Sequence, residues 1–139
     1  MQAQNGQEPP KSSRSTAGVG LSLEEAVTAG HDAFEEVADL ATSAKGYVAE
    51  ATGHVTIVVD RSSGTLLGAF VAGPAASEVI HEAVLAIKAR VPVAVLADTI
   101  HAFPTTARVM GGLFTSAARR LASKAEEAAS GASGAGGAA

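Results

Sequence analysis

Val55 to Thr105 reads VTIVVDRSSGTLLGAFVAGPAASEVIHEAVLAIKARVPVAVLADTIHAFPT. Its hydrophobic period changes once, at Gly73-Pro74. Ahead of that point, Val55, Ile57 and Val59 alternate with Thr56 and Val58, the spacing of a strand with one buried face. Asp60 to Gly64 has turn chemistry: Asp60 opens it, Ser62 and Ser63 fill it, and Gly64 tolerates a positive φ. A second strand follows from Leu66 to Val71. Simple alternation puts Leu66 and Phe70 on one face and Leu67, Ala69 and Val71 on the other. Gly68 leaves room for a close neighbour. After Pro74, Ala76, Val79, Ile80, Ala83, Val84 and Ile87 recur at helical spacing, with Glu78, Glu82 and Lys88 off the stripe. Pro92 stops this helix and starts a short one. The pattern predicts an α+β fold. Its antiparallel sheet is centred on a hairpin of residues 54–60 and 65–72, and a helix over 76–90 packs on one face.

Working outward, Ser22 caps a short helix and Glu25 completes a capping box, with the helix ending near Gly30. Gly18-Val19-Gly20 has the start of a dinucleotide fingerprint, but Leu23 stands where the third glycine belongs and no convincing strand precedes it. Phe34 to Leu40 alternates as a strand, with Phe34 and Val37 on opposite faces. Ala41 to Thr52 carries few signals. After Pro104 a helix is expected over Thr106 to Lys124, with Met110, Leu113, Phe114, Ala117 and Leu121 as its apolar stripe. Gly111 and Gly112 each cost about 1 kcal/mol there and mark a place for a kink. Arg119, Arg120 and Lys124 suit the end of the helix dipole, or an anion patch. Residues 1–14 read as a poorly ordered arm, 15–124 as one domain and 125–139 as a flexible tail of mostly Ala, Gly and Ser.

Composition excludes several functions. The chain has no cysteine, which rules out disulfides, thiolate catalysis and a redox-active cysteine pair on this chain. Aromatic residues are 4% against 47% hydrophobic overall, so the core must be aliphatic. A net charge of −4 argues for neither nucleic acid nor an anionic membrane. No apolar run approaches the roughly 18 residues of a membrane span, and no signal-peptide segment is evident, so the expected compartment is the cytoplasm.

The words VVDRSSGTLLGAFVAGPAASEVIHEAVLAIKA and LADTIHAFPT, with VGLSLEEAVTAG before them, resemble the C-terminal dimerisation (interface) domain of the FAD-dependent pyridine nucleotide-disulfide oxidoreductases. That family includes dihydrolipoamide dehydrogenase, glutathione reductase and mercuric reductase. The resemblance covers roughly Ser15 to Met110. It implies the interface-domain fold, a two-fold dimer, and FAD and NAD(P) in the complete enzyme. The nucleotide domains that hold those cofactors have no counterpart here, so the chain is expected to be inactive alone. The implied partners are a second copy or a flavoprotein subunit carrying the FAD and NAD(P) domains, with no nucleic acid and no membrane. A stand-alone, non-catalytic homodimerisation module is the alternative.

The resemblance also singles out one loop. Many members carry His-Pro-Thr there, with a Glu shortly after, and the His is the acid/base toward the partner subunit's site. Here Phe103 takes the His position and Arg108 the Glu position. Neither transfers a proton at neutral pH. No catalytic residue is therefore assigned. Phe103 and Pro104 remain as the implied flavin-facing edge, with a cis Phe103-Pro104 bond. His101, two positions earlier, is a poor substitute base. His31, His54, His81 and His101 lack metal-ligand spacing, and no metal is expected. Ser62 and Ser63 have no nearby base. Asp98 and His101 share a helix face as a structural pair, and Glu78 and Glu82 read as a solvated or dimer-facing helix edge.

Overall fold

The computed structural model describes residues 15–43 and 52–134. Four strands form one antiparallel sheet: β1 (Ser15–Gly20), β2 (Ala33–Asp39), β3 (His54–Asp60) and β4 (Leu66–Gly73), in the order β1-β4-β3-β2. The helices are α1 (Leu23–Thr28), α2 (Leu40–Ser43), α3 (Ala76–Ala89), α4 (Val93–Ala97) and α5 (Thr106–Gly134). The hairpin and α3 lie where the change of period puts them, within one residue. α1 carries the expected capping box: Ser22 Oγ accepts from the Glu25 amide, and Glu25 Oε2 accepts from the Ser22 amide at 2.8 Å.

The core lies on one face of the sheet. Val55, Ile57 and Val59 of β3 join Ala69 and Val71 of β4 and Phe34 of β2. α3 covers this face over β1 and β4, and α5 covers it over β2 and β3. The helices meet the sheet through Ala76, Val79, Ile80, Ala83 and Ala86 from α3, and Met110, Leu113, Phe114 and Ala117 from α5. Val84, placed on the buried stripe by sequence, is exposed, and Ala86 takes the inward position. Leu66 also departs from simple alternation. The β3–β4 register slips between Val58 and Val59, where Val58 faces Gly68 and Val59 faces Leu66. The extra residue at Leu67 turns Leu66 onto the core face beside Ala69.

The opposite face is covered at one corner. Val58 and Ala26 are both buried yet stand outside the main core, and α1 packs beside β2. Leu21 carries the chain across the sheet here. Its amide donates to the Leu67 carbonyl at 2.9 Å, and its own carbonyl lies where a β-carbon on Gly68 would stand. This is the close neighbour for which Gly68 leaves room.

Two elements differ from the sequence reading. β1 is a full strand, although STAGVG has no convincing alternation, because it completes the ladder along β4 from Ser15↔Gly73 to Gly20↔Gly68. α5 is unbroken through Gly111 and Gly112 and continues past Lys124 to Gly134, 29 residues in all. Arg119, Arg120 and Lys124 therefore sit mid-helix and do not cap its dipole. The arm 1–14, residues 44–51 and residues 135–139 fall outside the described residues.

The hairpin turn is held by Asp60, which is 7% exposed. Its Oδ1 accepts from the Ser62 amide (3.0 Å) and hydroxyl (2.8 Å), and its Oδ2 from the Ser63 hydroxyl (3.1 Å). Gly64 follows at φ 67°, and its carbonyl accepts from the Val93 amide at 2.8 Å, tying the turn to the start of α4. Burial pushes the Asp60 carboxyl up, but the hydrogen bonds from Ser62 and Ser63 and the nearby His31 outweigh it, and the net shift is downward. A carboxyl lowered in the folded state stabilises fully above its unfolded value and loses that contribution as pH falls through the folded one.

Two outcomes follow from this packing. Asp60→Asn should cost on the order of 1 kcal/mol at pH 7, and the difference from the parent should shrink as pH drops below about 3.9, measured by urea unfolding across pH. Gly68→Ala forces a methyl onto the Leu21 carbonyl and should destabilise by roughly 1–3 kcal/mol in the same assay.

Candidate functional site

The loop from α4 to α5 carries the residues that the sequence singled out. It is built from its C-terminal side. Thr105 is the residue before α5, and its hydroxyl accepts from the Arg108 amide at 3.2 Å, an N-cap bond. The same hydroxyl donates to the Ala102 carbonyl, closing a tight ring around Phe103 and Pro104. The Phe103-Pro104 peptide is cis, as the resemblance implies. Thr106 Oγ1 lies 3.5 Å from the Pro74 carbonyl, so the loop also meets the turn that opens α3. The loop tip is exposed and apolar: Ile100 is 96% and Phe103 68% exposed. The Arg108 guanidinium stacks over the Phe103 ring at 5.4 Å from its centroid.

His101 turns the other way. Its side chain is 9% exposed, and Nε2 lies 2.8 and 3.0 Å from the two carboxylate oxygens of Glu82 on α3. The ring packs against Phe114, with centroids 6.0 Å apart. It sits over Gly111, where an added β-carbon would be 2.5 Å from Nδ1. His101 therefore pairs with Glu82 and not with Asp98, and Glu82, 28% exposed at the outer edge of α3, is engaged in that pair. Sequence reasoning missed this pair because its members are 19 residues apart on different elements. The one available signal was Gly111 itself, a glycine in a helix interior that asks for a packing reason.

The other candidates are structural. Ser62 and Ser63 are bound to Asp60, and His31 Nδ1 stands 3.6 Å from it. His54 and His81 are exposed, and no group of three metal-ligating side chains occurs among the described residues. Arg120 pairs with Glu36 at 3.0 Å and stacks on Phe34, whose ring also meets Arg61. These two arginines are occupied by β2 neighbours. Among the described residues no helix is long and apolar enough to cross a membrane.

An exposed apolar band accompanies the loop. Leu85 follows Glu82 by three residues, so it is Glu82's neighbour on the outward side of α3, and it is exposed. Val84 on α3 and Val95 on α4 are exposed as well. The helical layer thus presents apolar side chains outward, around the junction that Glu82 and His101 make.

Comparison with known proteins identifies relatives of this fold. The family model for the pyridine nucleotide-disulphide oxidoreductase dimerisation domain matches residues 12–113. Dihydrolipoyl dehydrogenase from Thermus scotoductus is 42% identical over 92 residues, covering 64% of this chain and 20% of that protein. NAD(P)H dehydrogenase (quinone) from Mycobacterium tuberculosis is 37% identical over 83 residues, covering 59% of this chain and 16% of that protein. Among solved structures, LpdA from Mycobacterium tuberculosis aligns with a TM-score of 0.62 at 33% identity, over 76% of this chain and 22% of that one. The HOCl-induced flavoprotein disulfide reductase RclA from Escherichia coli aligns with a TM-score of 0.66 at 25% identity, over 72% of this chain and 23% of that one. The chain spans about a fifth of the length of relatives such as the Thermus enzyme. With the sheet, the helical layer and the cis-proline loop in place and the family match running over residues 12–113, the chain belongs to the pyridine nucleotide-disulphide oxidoreductase family as its dimerisation domain.

Proposed function

We propose that this chain supplies the subunit interface, and one edge of the flavin site, of a flavin-dependent pyridine nucleotide-disulfide oxidoreductase. It does so as a homodimer or against a subunit carrying the FAD and NAD(P) domains. The observation that carries this reading is the exposed Phe103 loop, pinned by Thr105 at the rim of an outward apolar helical layer. Phe103 and Pro104 are the flavin-facing edge. The loop offers an aromatic ring, main-chain carbonyls and the Arg108 guanidinium stacked on that ring. That suffices to close one edge of a flavin site and does not suffice to hold a dinucleotide, so in this reading partner domains hold FAD and NAD(P). The flavin, when bound there, carries the electron transfer. This chain's residues contribute shape and exclusion of water, and no proton donor, since Phe103 and Arg108 stand at the family's His and Glu positions.

Those same two residues, with the absence of cysteine, favour a second reading: a self-associating module without catalysis. Light scattering after size exclusion separates the two, with the chain alone and with a flavoprotein that carries the nucleotide domains. A mixed assembly whose flavin spectrum shifts on binding supports the first reading, and self-association with no mixed assembly supports the second. In either case Leu85→Glu should weaken association by at least about tenfold, because a carboxylate would have to be desolvated at the contact. Its melting temperature should hold, since Leu85 is 66% exposed in the single chain. In a mixed assembly with a cysteine pair on the partner, joint Phe103→His and Arg108→Glu should raise disulfide-reductase activity above the parent level.

A further inference from the structure

We propose that Glu82 and His101, seated over Gly111, form a positioning pair that fixes the Phe103-Pro104 loop against α3 and α5 before any partner arrives. What the loop is used for rests on the reading above; how it is held does not. Both ring nitrogens of His101 are turned into the fold. Nε2 donates to the Glu82 carboxylate at 2.8 Å, and Nδ1 lies over the backbone of α5 at Gly111. With the side chain 9% exposed, His101 is not a base relocated from position 103. It is an anchor placed two residues before the loop tip.

The anchor has a counterpart on the other side. Thr105 fixes the loop to the first turn of α5 through Ala102 and Arg108. His101 fixes it to the middle of α3 and to Phe114, about one helical turn further along α5 than Gly111. Phe103 is thus suspended between two attachments that are four residues apart. The tip itself carries the Arg108 guanidinium on the Phe103 ring, and the two attachments fix the backbone on either side of it. A loop ordered in advance loses less entropy on association, which raises affinity without adding a contact. Gly111 makes the anchor possible. Any β-carbon there enters the space of the imidazole, so the helix carries a glycine at an interior position that costs about 1 kcal/mol relative to alanine.

The arrangement separates loop order from global stability, and the test uses that separation. Amide relaxation on the full chain labelled with nitrogen-15 gives order parameters for Ala102 and Phe103. The parent should show values of about 0.85, and His101→Ala and Gly111→Ala should each lower them below about 0.6 while the sheet and α3 stay rigid. Glu82→Gln, which keeps an acceptor oxygen for Nε2, should fall between parent and His101→Ala. Adding Gly111→Ala to His101→Ala should raise the melting temperature above that of His101→Ala, since the methyl then meets no ring, and should leave the loop mobile. Loop values that stay at the parent level in both single variants overturn the proposal, as does a loss of order spread evenly over the domain. If the loop is released and association is unchanged, the anchor stands and the loop's place at the interface is what fails.

Discussion

The structure depends on burying one face of the β3–β4 hairpin. Val55, Ile57, Val59, Ala69 and Val71 are at most 2% exposed, and α3 and α5 are placed by covering them. From α3 the cover is mainly alanine with Val79 and Ile80, and from α5 it is the larger Met110, Leu113 and Phe114 with Ala117. Apolar burial of this kind is non-directional and favours any cover that excludes water. What selects this cover is local. The Asp60 turn sets the hairpin register, the Gly64–Val93 hydrogen bond sets the start of α4, and Thr105 sets the start of α5.

The two sides of the domain differ as a result. The outer face of the sheet carries Thr16, His54, Thr56, Glu35 and Asp39 around Phe70 and the exposed Val37, and α1 covers one corner. The helical side has spent its inward residues on the sheet and still presents Val84, Leu85, Val95, Ile100 and Phe103 to solvent. A small domain with an aliphatic core has little apolar surface to spare, and an apolar band left outside is a mark of an association surface. The loop that carries Phe103 stands at the edge of this band because Glu82 and Thr106 attach it to α3 and to the turn before it.

Much of this was legible in the sequence, and the misses have separate causes. The hairpin and α3 could be read because period 2 gives way to period 3.6 at Gly73-Pro74, a local signal. The capping box of α1 is equally local. β1 could not be read, because small residues in STAGVG take their strand form from pairing with β4, a partner some fifty residues away in sequence. The end of α5 was misplaced because Ala, Ser and Gly together read as a tail, although alanine has the highest helix propensity and carries the last turns. Leu66 was set on the wrong face by a bulge that alternation cannot reveal. At the site, the motif itself located Phe103, Pro104 and the cis peptide. The Glu82–His101 pair and the role of Gly111 arise from three elements meeting, and no spacing along the chain encodes that.

The central claim is that the chain associates through its helical side and not through its outer sheet face. The absence of cysteine allows a direct measurement, because a single introduced thiol reports from one place only. Leu85→Cys stands on the helical side and Val37→Cys on the outer sheet face, and the parent residues are similarly open, at 66% and 55% exposure. Their rates of alkylation can be followed from low to high protein concentration. The account predicts that labelling at position 85 slows as concentration rises while labelling at position 37 stays constant. Protection at position 37 with position 85 left open would contradict it.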